Sequence, residues 1–309
     1  MEMMWKDKRY HSLDYEFKTT FGTKVIKLSL DGGFTCPNRD GTIGSRGCIF
    51  CSEEGSGEFA ANRALSISKQ IEQQKEFLSR KWPNGKYIAY FQNFTNTYSS
   101  ALDLRRKYEE AISKEDVVGL AIATRADCLP EEVLDLLEEL NKKTFIWVEL
   151  GLQTIHETTA KFIRRGYSLN VYNSVVEKLK KRNIKVVTHL IFGLPGESKK
   201  DILESVKYLV DTETWGVKLH LLYIQKDTDL YEYYKSAPFH ILSQEEYISL
   251  VCDSLEMLPP DMVIHRLTGD GKKGLLLEPR WSLNKLKVLS GIDMELKRRG
   301  SYQGIKQIK

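Results

Sequence analysis

The strongest constraint on the fold is a rhythm. Apolar runs at 24–30, 87–91, 117–123, 145–150, 184–192 and 217–224 are strand-length and rich in Val, Ile, Leu, Tyr and Phe. Between them lie segments with helical spacing, at 66–82, 101–113, 131–141, 170–181 and 199–212. Pro130 stands where a first helical residue loses nothing by lacking an N–H. Because the strand runs are continuously apolar rather than alternating, they predict a parallel sheet covered on both faces. Six consecutive βα units predict an α/β protein with a (β/α)6 partial barrel of TIM type, the other arrangement being an open doubly wound sheet. After Thr228 the rhythm breaks. A helix over 243–258, a short strand over 262–267 and a helix over 282–299 predict a small α/β extension capping the barrel. The expected division is therefore 1–228 and 229–309.

Composition narrows the class. The 309 residues, 41% hydrophobic and 28% charged, suit a globular protein with a sizeable core. Residues 1–14 hold charges and aromatics but no apolar signal-peptide core, and the apolar runs fall well short of a membrane span. The expectation is a soluble cytoplasmic protein without membrane contact, in a compartment that keeps thiols reduced. The net charge of +4 is unevenly spread. From Lys272 to Lys309 there are ten Lys/Arg and three Asp/Glu, a local +7 that can attract a polyanion or simply solvate a helix face. Lys297, Arg298 and Arg299 are its candidate phosphate contacts.

In parallel βα folds the ligand-facing groups gather at the C-terminal strand ends. The loop after the first strand contains Gly33-Phe34-Thr35-Cys36-Pro37-Asn38-Arg39-Asp40-Gly41 and then Cys48-Ile49-Phe50-Cys51. Three of the five cysteines thus fall in one glycine-rich loop, extended by Gly55, Gly57 and Phe59. Such clustered thiols read as metal ligands. Structural zinc would want a fourth ligand, yet no histidine lies between His11 and His156. Three thiolates suit an iron–sulfur cluster with one iron left open. The later strand ends bring Gln92 to Tyr98, Thr124 to Cys128, Glu149 to Thr154, His189 with Gly193 to Glu197, and Gln225 to Thr228. Polar groups at successive strand ends predict a large polar ligand over the barrel mouth. Cys252, among Leu250, Val251 and Leu255, reads as core, and Cys128 as a small buried residue or an extra cavity thiol.

The cysteine loop, with an aromatic before its last cysteine, resembles the radical S-adenosylmethionine (radical SAM) enzymes. It departs from their C-x3-C-x2-C by having eleven residues in the first gap. The long gap, Glu149-Leu150-Gly151-Leu152-Gln153 and Gly193-Leu194-Pro195-Gly196-Glu197 are similar to the Elongator catalytic-subunit branch. Gly33 to Gly41, Thr124 to Pro130, and Arg266-Leu267-Thr268-Gly269-Asp270-Gly271 with Pro279-Arg280-Trp281 resemble the bacterial YhcC/YtqA-type radical SAM proteins.

This resemblance implies a [4Fe–4S] cluster on Cys36, Cys48 and Cys51, with SAM on the fourth iron. Phe50 would face the adenine, Gln153 and Arg165 would hold SAM, with Arg165 on its carboxylate, and His189 would stand toward the ribose. The usual Gly-Gly-Glu is missing after the second strand, so Gln92, Asn96 and Thr97 are the substitutes toward the SAM amino group. Arg125 matches a position the Elongator branch also fills with Arg, although its acidic companion is replaced by Ala123. The implied chemistry is reductive cleavage of SAM to a 5′-deoxyadenosyl radical, fed by an electron donor such as flavodoxin or ferredoxin. With the basic C-terminal segment, the resemblance favours RNA, and tRNA in particular, as substrate. Acetyl transfer is not expected in so short a chain. A small metabolite or peptide is the alternative substrate, and a non-catalytic iron–sulfur protein that senses redox state or binds nucleic acid is the alternative of another class.

Overall fold

The structure, a computed structural model, describes residues 4–53, 55, 61–79, 82, 85–269 and 271–307. Gly57 and Phe59 of the cysteine loop, Pro83 and Asn84 after the expected helix 66–82, and Asp270 lie outside the described residues.

The six expected strands form as β1 (Val25–Leu30), β2 (Lys86–Phe91), β3 (Val117–Thr124), β4 (Phe145–Gln153), β5 (Lys185–Phe192) and β6 (Gly216–Leu221). They pair in parallel in chain order and curl into a half-barrel. A seventh strand joins them. After a second small sheet's β7 (Ile224–Gln225), the strand β8 (Val263–Arg266) pairs in parallel with β6. The short strand expected at 262–267 thus completes the barrel sheet rather than lying apart from it. The expected run 217–224 divides, because β7 leaves the sheet and pairs antiparallel with β9 (Leu276–Glu278).

Strand geometry sends alternate side chains to opposite faces, and two buried clusters record this. Outward residues such as Leu28, Phe91, Val148 and Leu219 meet the apolar stripes of the covering helices. Those helices are α2 (Ile67–Ser79), α3 (Ala101–Ile112), α4 (Glu131–Asn141), α6 (Leu169–Lys181) and α7 (Lys199–Thr212), with a short α5 (Glu157–Phe162) after β4. Inward, Val25, Ile88, Ala121, Trp147, Val187 and Val263 pack together at the strand starts. Trp147 lies 5.8 Å from Trp215 and 5.9 Å from Phe17 between ring centroids. Filling the strand-start end with apolar and aromatic side chains leaves the other end free for polar groups.

The residues before β1 form a helix, α1 (Leu13–Phe21), capped by the Ser12 hydroxyl and ended by Gly22 at φ 69. Its Leu13 and Phe17 belong to the inward cluster. The preceding residues reach the far edge of the sheet, where the Ile264 amide donates to the His11 carbonyl at 2.7 Å. The helix thereby stoppers the barrel at its strand-start end. Beyond β7 come α8 (Asp229–Ser236), α9 (Gln244–Met257) and α10 (Lys285–Arg298). No described helix is long and apolar enough to cross a membrane.

Candidate active site

The strand-end mouth holds a cavity of about 250 Å³, and Cys36, Cys48 and Cys51 all line it. Side chains of the loop itself hold the thiols in place. The Asn38 amide donates to the Arg164 carbonyl at 2.7 Å and to Cys48 Sγ at 3.6 Å. Arg39 Nη2 donates to the Cys51 carbonyl at 3.2 Å. Gly47, at φ +74, permits this, because a Cβ there would stand 2.9 Å from Arg39 Nε. Helix α8 clamps the loop from outside. The Leu230 amide donates to the Ile49 carbonyl at 2.8 Å, and Asp229 accepts from Arg164, which also donates to the Gly47 carbonyl at 3.3 Å. A hydrogen bond from Cys51 lowers Cys48 to about 7 against the effect of burial, helped by the charge of Arg125. The same bond, together with burial, raises Cys51.

Gln153 ends β4 and also lines the cavity. The expected strand 145–150 runs on to include it, with an irregularity between Leu150 and Gln153. Its backbone has φ 68, a costly left-handed conformation for a non-glycine residue. Its Oε1 is buried with no partner. An orphaned acceptor on a strained residue at a cavity wall fits a missing ligand with donors. Arg165 is 2% exposed and lines the same wall. It donates to the carbonyls of Thr154 at 2.7 Å and Tyr167 at 2.8 Å, and to Glu157 at 3.0 Å. Most of its fork is therefore engaged in shaping the strand end that carries Gln153.

Arg125 is buried at the same wall, its guanidinium forked onto Asp127 at 2.9 and 2.7 Å. The acidic companion missing at Ala123 is thus supplied two residues after the arginine. Tyr167 lies between the two guanidinium groups, 5.2 Å from that of Arg125 and 5.0 Å from that of Arg165. Phe50 lines the cavity and packs with Ile163, Leu194 and Leu222. None of the residues from Gly193 to Glu197 lines the cavity. Glu197 accepts from Thr154 at 2.5 Å and so ties this turn to the β4 end.

Two expected contacts are not brought to the cavity. Asn96 is fully buried, its Nδ2 donating to the Ala123 carbonyl at 2.7 Å. Thr97 meets Thr124 Oγ1 at 2.6 Å and the Cys128 carbonyl. Both hold the second loop against the third. Gln92 and Thr95 are that loop's polar cavity residues. Cys128 and Cys252 are buried, as expected.

Below the mouth lies a charged layer that strand periodicity alone does not announce. Glu149, fully buried on β4, accepts from Tyr90 Oη at 2.8 Å and Trp147 Nε1 at 2.9 Å, and meets His189 Nε2 at 3.0 Å. Lys218 Nζ also bonds to it and reaches Tyr90 Oη at 2.9 Å. Burial alone would raise the Glu149 carboxyl, but Lys218 and His189 bring it well below its usual value. His189 is pushed down to about 4 by burial and by Lys218. It lies in this inner layer, bonded to Glu149, while still lining the cavity. Two apolar strands, β4 with a lone Glu and β6 with a lone Lys, were the available signal, since such charges are buried only when paired.

Part of the basic C-terminal segment is paired, within itself and with an earlier helix. Arg299 bonds to Asp253 and Glu295, both at 2.7 Å, and Arg298 forks onto Glu295. Two of the three candidate phosphate contacts are therefore already paired.

A profile described as the Radical SAM superfamily matches residues 40–209, and one described as the Radical_SAM C-terminal domain matches residues 214–298. The chain belongs to the radical SAM superfamily and is an enzyme of that class, related to the Elongator branch. It is 50% identical over 298 residues to "Uncharacterized protein YtqA" of Bacillus subtilis, covering 96% of this chain and 92% of that protein. It is 28% identical over 179 residues to a tRNA uridine(34) acetyltransferase of Methanocaldococcus infernus, covering 56% of this chain but 32% of that one. The solved structure of Elp3 from M. infernus superposes with a TM-score of 0.68 at 19% identity, over 90% of this chain and 64% of that chain. This last likeness concerns the fold, and it agrees with the α/β half-barrel.

Proposed function

We propose that this chain holds a [4Fe–4S] cluster on Cys36, Cys48 and Cys51, binds SAM along the strand-end wall, and modifies RNA, with tRNA as the substrate. The observation that carries the cofactor reading is one cavity lined by Cys36, Cys48, Cys51, Arg125 and Gln153, whose Oε1 is buried without a partner. When bound, cluster and SAM supply hydrogen-atom abstraction from an unactivated C–H bond, given one electron from a donor such as flavodoxin or ferredoxin. The chain's own part is to bind and enclose. Arg125 and Arg39 place positive charge beside the thiolates, Phe50 offers an apolar wall, and Gln153 offers a buried acceptor. The stopper of α1 and the aromatic base exclude water from below.

RNA is supported by the tRNA-acting relative and by the basic composition of the C-terminal segment. A small metabolite or peptide is the second reading, favoured by the internal pairing of Arg298 and Arg299. Anaerobic reconstitution, reduction with SAM and chromatography for 5′-deoxyadenosine test the chemistry. Product is expected from the wild-type protein and none from Cys48→Ala. Gln153→Ala is expected to keep the cluster while losing SAM affinity. Filter binding of undermodified tRNA across a salt series tests the substrate. Binding that weakens steeply with salt supports RNA, because phosphate contacts release counterions. Salt-insensitive or absent binding selects the small substrate.

A further inference from the structure

The mouth of the half-barrel has a lip on one side. Gln225 of β7 lines the cavity, and β7 pairs with β9, so this two-stranded sheet borders the opening. The Lys226 amide donates to the Leu275 carbonyl at 3.0 Å, which holds the loop before β9 against the end of β7. Lys226, Lys273 and Arg280, which flank the two strands, are exposed. From Arg280 the chain runs on into α10. There Val288, Ile292 and Leu296 are buried, while Leu286, Lys287, Ser290, Met294, Lys297 and Arg298 form one exposed arc on the opposite side.

The cations of this region fall into two sets. Arg298 and Arg299 pair with Glu295, Arg299 also with Asp253, and Lys306 with Glu256, while Lys272 and Lys285 have partners too. Both acidic residues of α10 are thereby spent, Glu295 on the two arginines and Asp293 on Lys8. Lys226, Lys273, Arg280, Lys287 and Lys297 make no ion pair among the described residues. Against Asp227 and Glu278 on the lip, they leave an excess of positive charge. This second set is also strung out. Lys287 and Lys297 lie about 15 Å apart along one helix, at a rise of about 1.5 Å per residue, so no small anion meets both.

We propose that the β7–β9 lip and the outer face of α10 form a track for the phosphate backbone of an RNA whose target nucleotide enters the mouth. The proposal rests on the RNA reading of the substrate and names the surface that holds it outside the cavity. Repeating phosphates match cations spaced along a path, and each contact releases counterions. Leu286 and Met294, 78% and 65% exposed on the same arc, make an acidic protein segment the rival occupant.

Fluorescence anisotropy of undermodified tRNA with the reconstituted full chain, across a salt series, tests the track. Lys273→Gln, Arg280→Gln, Lys287→Gln and Lys297→Gln are each expected to lower the slope of log affinity against log salt by about 0.7–0.9, and the four together by about 3. Arg298→Gln, which removes a cation already held by Glu295, should keep the wild-type slope. None of these side chains is buried or lines the cavity, so unfolding midpoints and SAM affinity should stay at their wild-type values. A wild-type slope in the combined variant overturns the track and leaves RNA standing as substrate. Absence of tRNA binding by the wild-type protein overturns both, whereas 5′-deoxyadenosine formation would still support the cofactor reading. Tighter binding of polyglutamate than of tRNA, lost in the combined variant, overturns the proposal in favour of an acidic protein partner.

Discussion

Glu149 and Lys218 form an ion pair in which neither side chain is more than 1% exposed. Removing one partner of such a pair strands a buried charge, whereas removing both need not. Glu149→Gln is therefore expected to cost about 3–5 kcal/mol in urea unfolding, with Glu149→Gln/Lys218→Met recovering much of the loss. His189 adds a pH dependence of definite sign. With its pKa at about 4 in the fold and near 6.5 when unfolded, the unfolded chain binds more protons between those values. Stability from this residue is fully present above about pH 6.5 and declines as pH falls toward 4, by on the order of 3 kcal/mol. Glu149, also depressed, adds a loss of the same sign at lower pH. Unfolding midpoints of His189→Gln should fall less steeply across this window than those of the wild type.

At the scale of elements, the helices of the last third are held by caps that can be weighed singly. Helix α9 begins with a reciprocal capping box between Ser243 and Glu246. Ser243→Ala is expected to lower stability by about 1 kcal/mol without altering SAM binding, as equilibrium unfolding would show. The strands were legible because a strand buried on both faces must be written in apolar residues, as Val117–Thr124 is. The helix α1 was not, because its aromatic residues serve a barrel base that no local pattern reveals. The splitting of the 217–224 run was equally hidden, since β7 finds its partner at Leu276–Glu278, far along the chain. Within the site, the cysteines were legible from spacing, and Gln153 through the stretch around it. Asn96 and Thr97 share the polarity of the cavity residues Gln92 and Thr95, and only the fold shows Asn96 Nδ2 and Thr97 Oγ1 bonded to a neighbouring loop instead. Charge counting along 272–309 likewise could not see Asp253, which comes from an earlier helix to meet Arg299.

At the scale of the molecule, one buried amide ties the two ends of the described chain together. Gln303 Nε2 donates to the carbonyls of Pro259 at 2.6 Å and Met262 at 2.8 Å, while its Oε1 accepts from the His11 amide at 2.8 Å. Its own amide donates to the Arg9 carbonyl at 2.9 Å. Gln303→Ala orphans the groups it serves and should cost several kcal/mol, at about 1–3 kcal/mol for each buried polar group left unmet. The expected readout is a lower unfolding midpoint and faster hydrogen exchange in both the α1 and β8 segments.

The place of β8 in the sheet also sets a timetable for the ribosome. When translation has passed Thr228, six strands exist and the open margin of β6 has no neighbour, because Val263–Arg266 is yet to emerge. Lys218 then sits at an unfinished border rather than inside a wall. Exposed strand margins recruit other chains, so a fragment ending at residue 228 should self-associate more than the full chain, as light scattering would report. In a newborn chain, the interval between those two points is when another copy competes most effectively with the strand still to come.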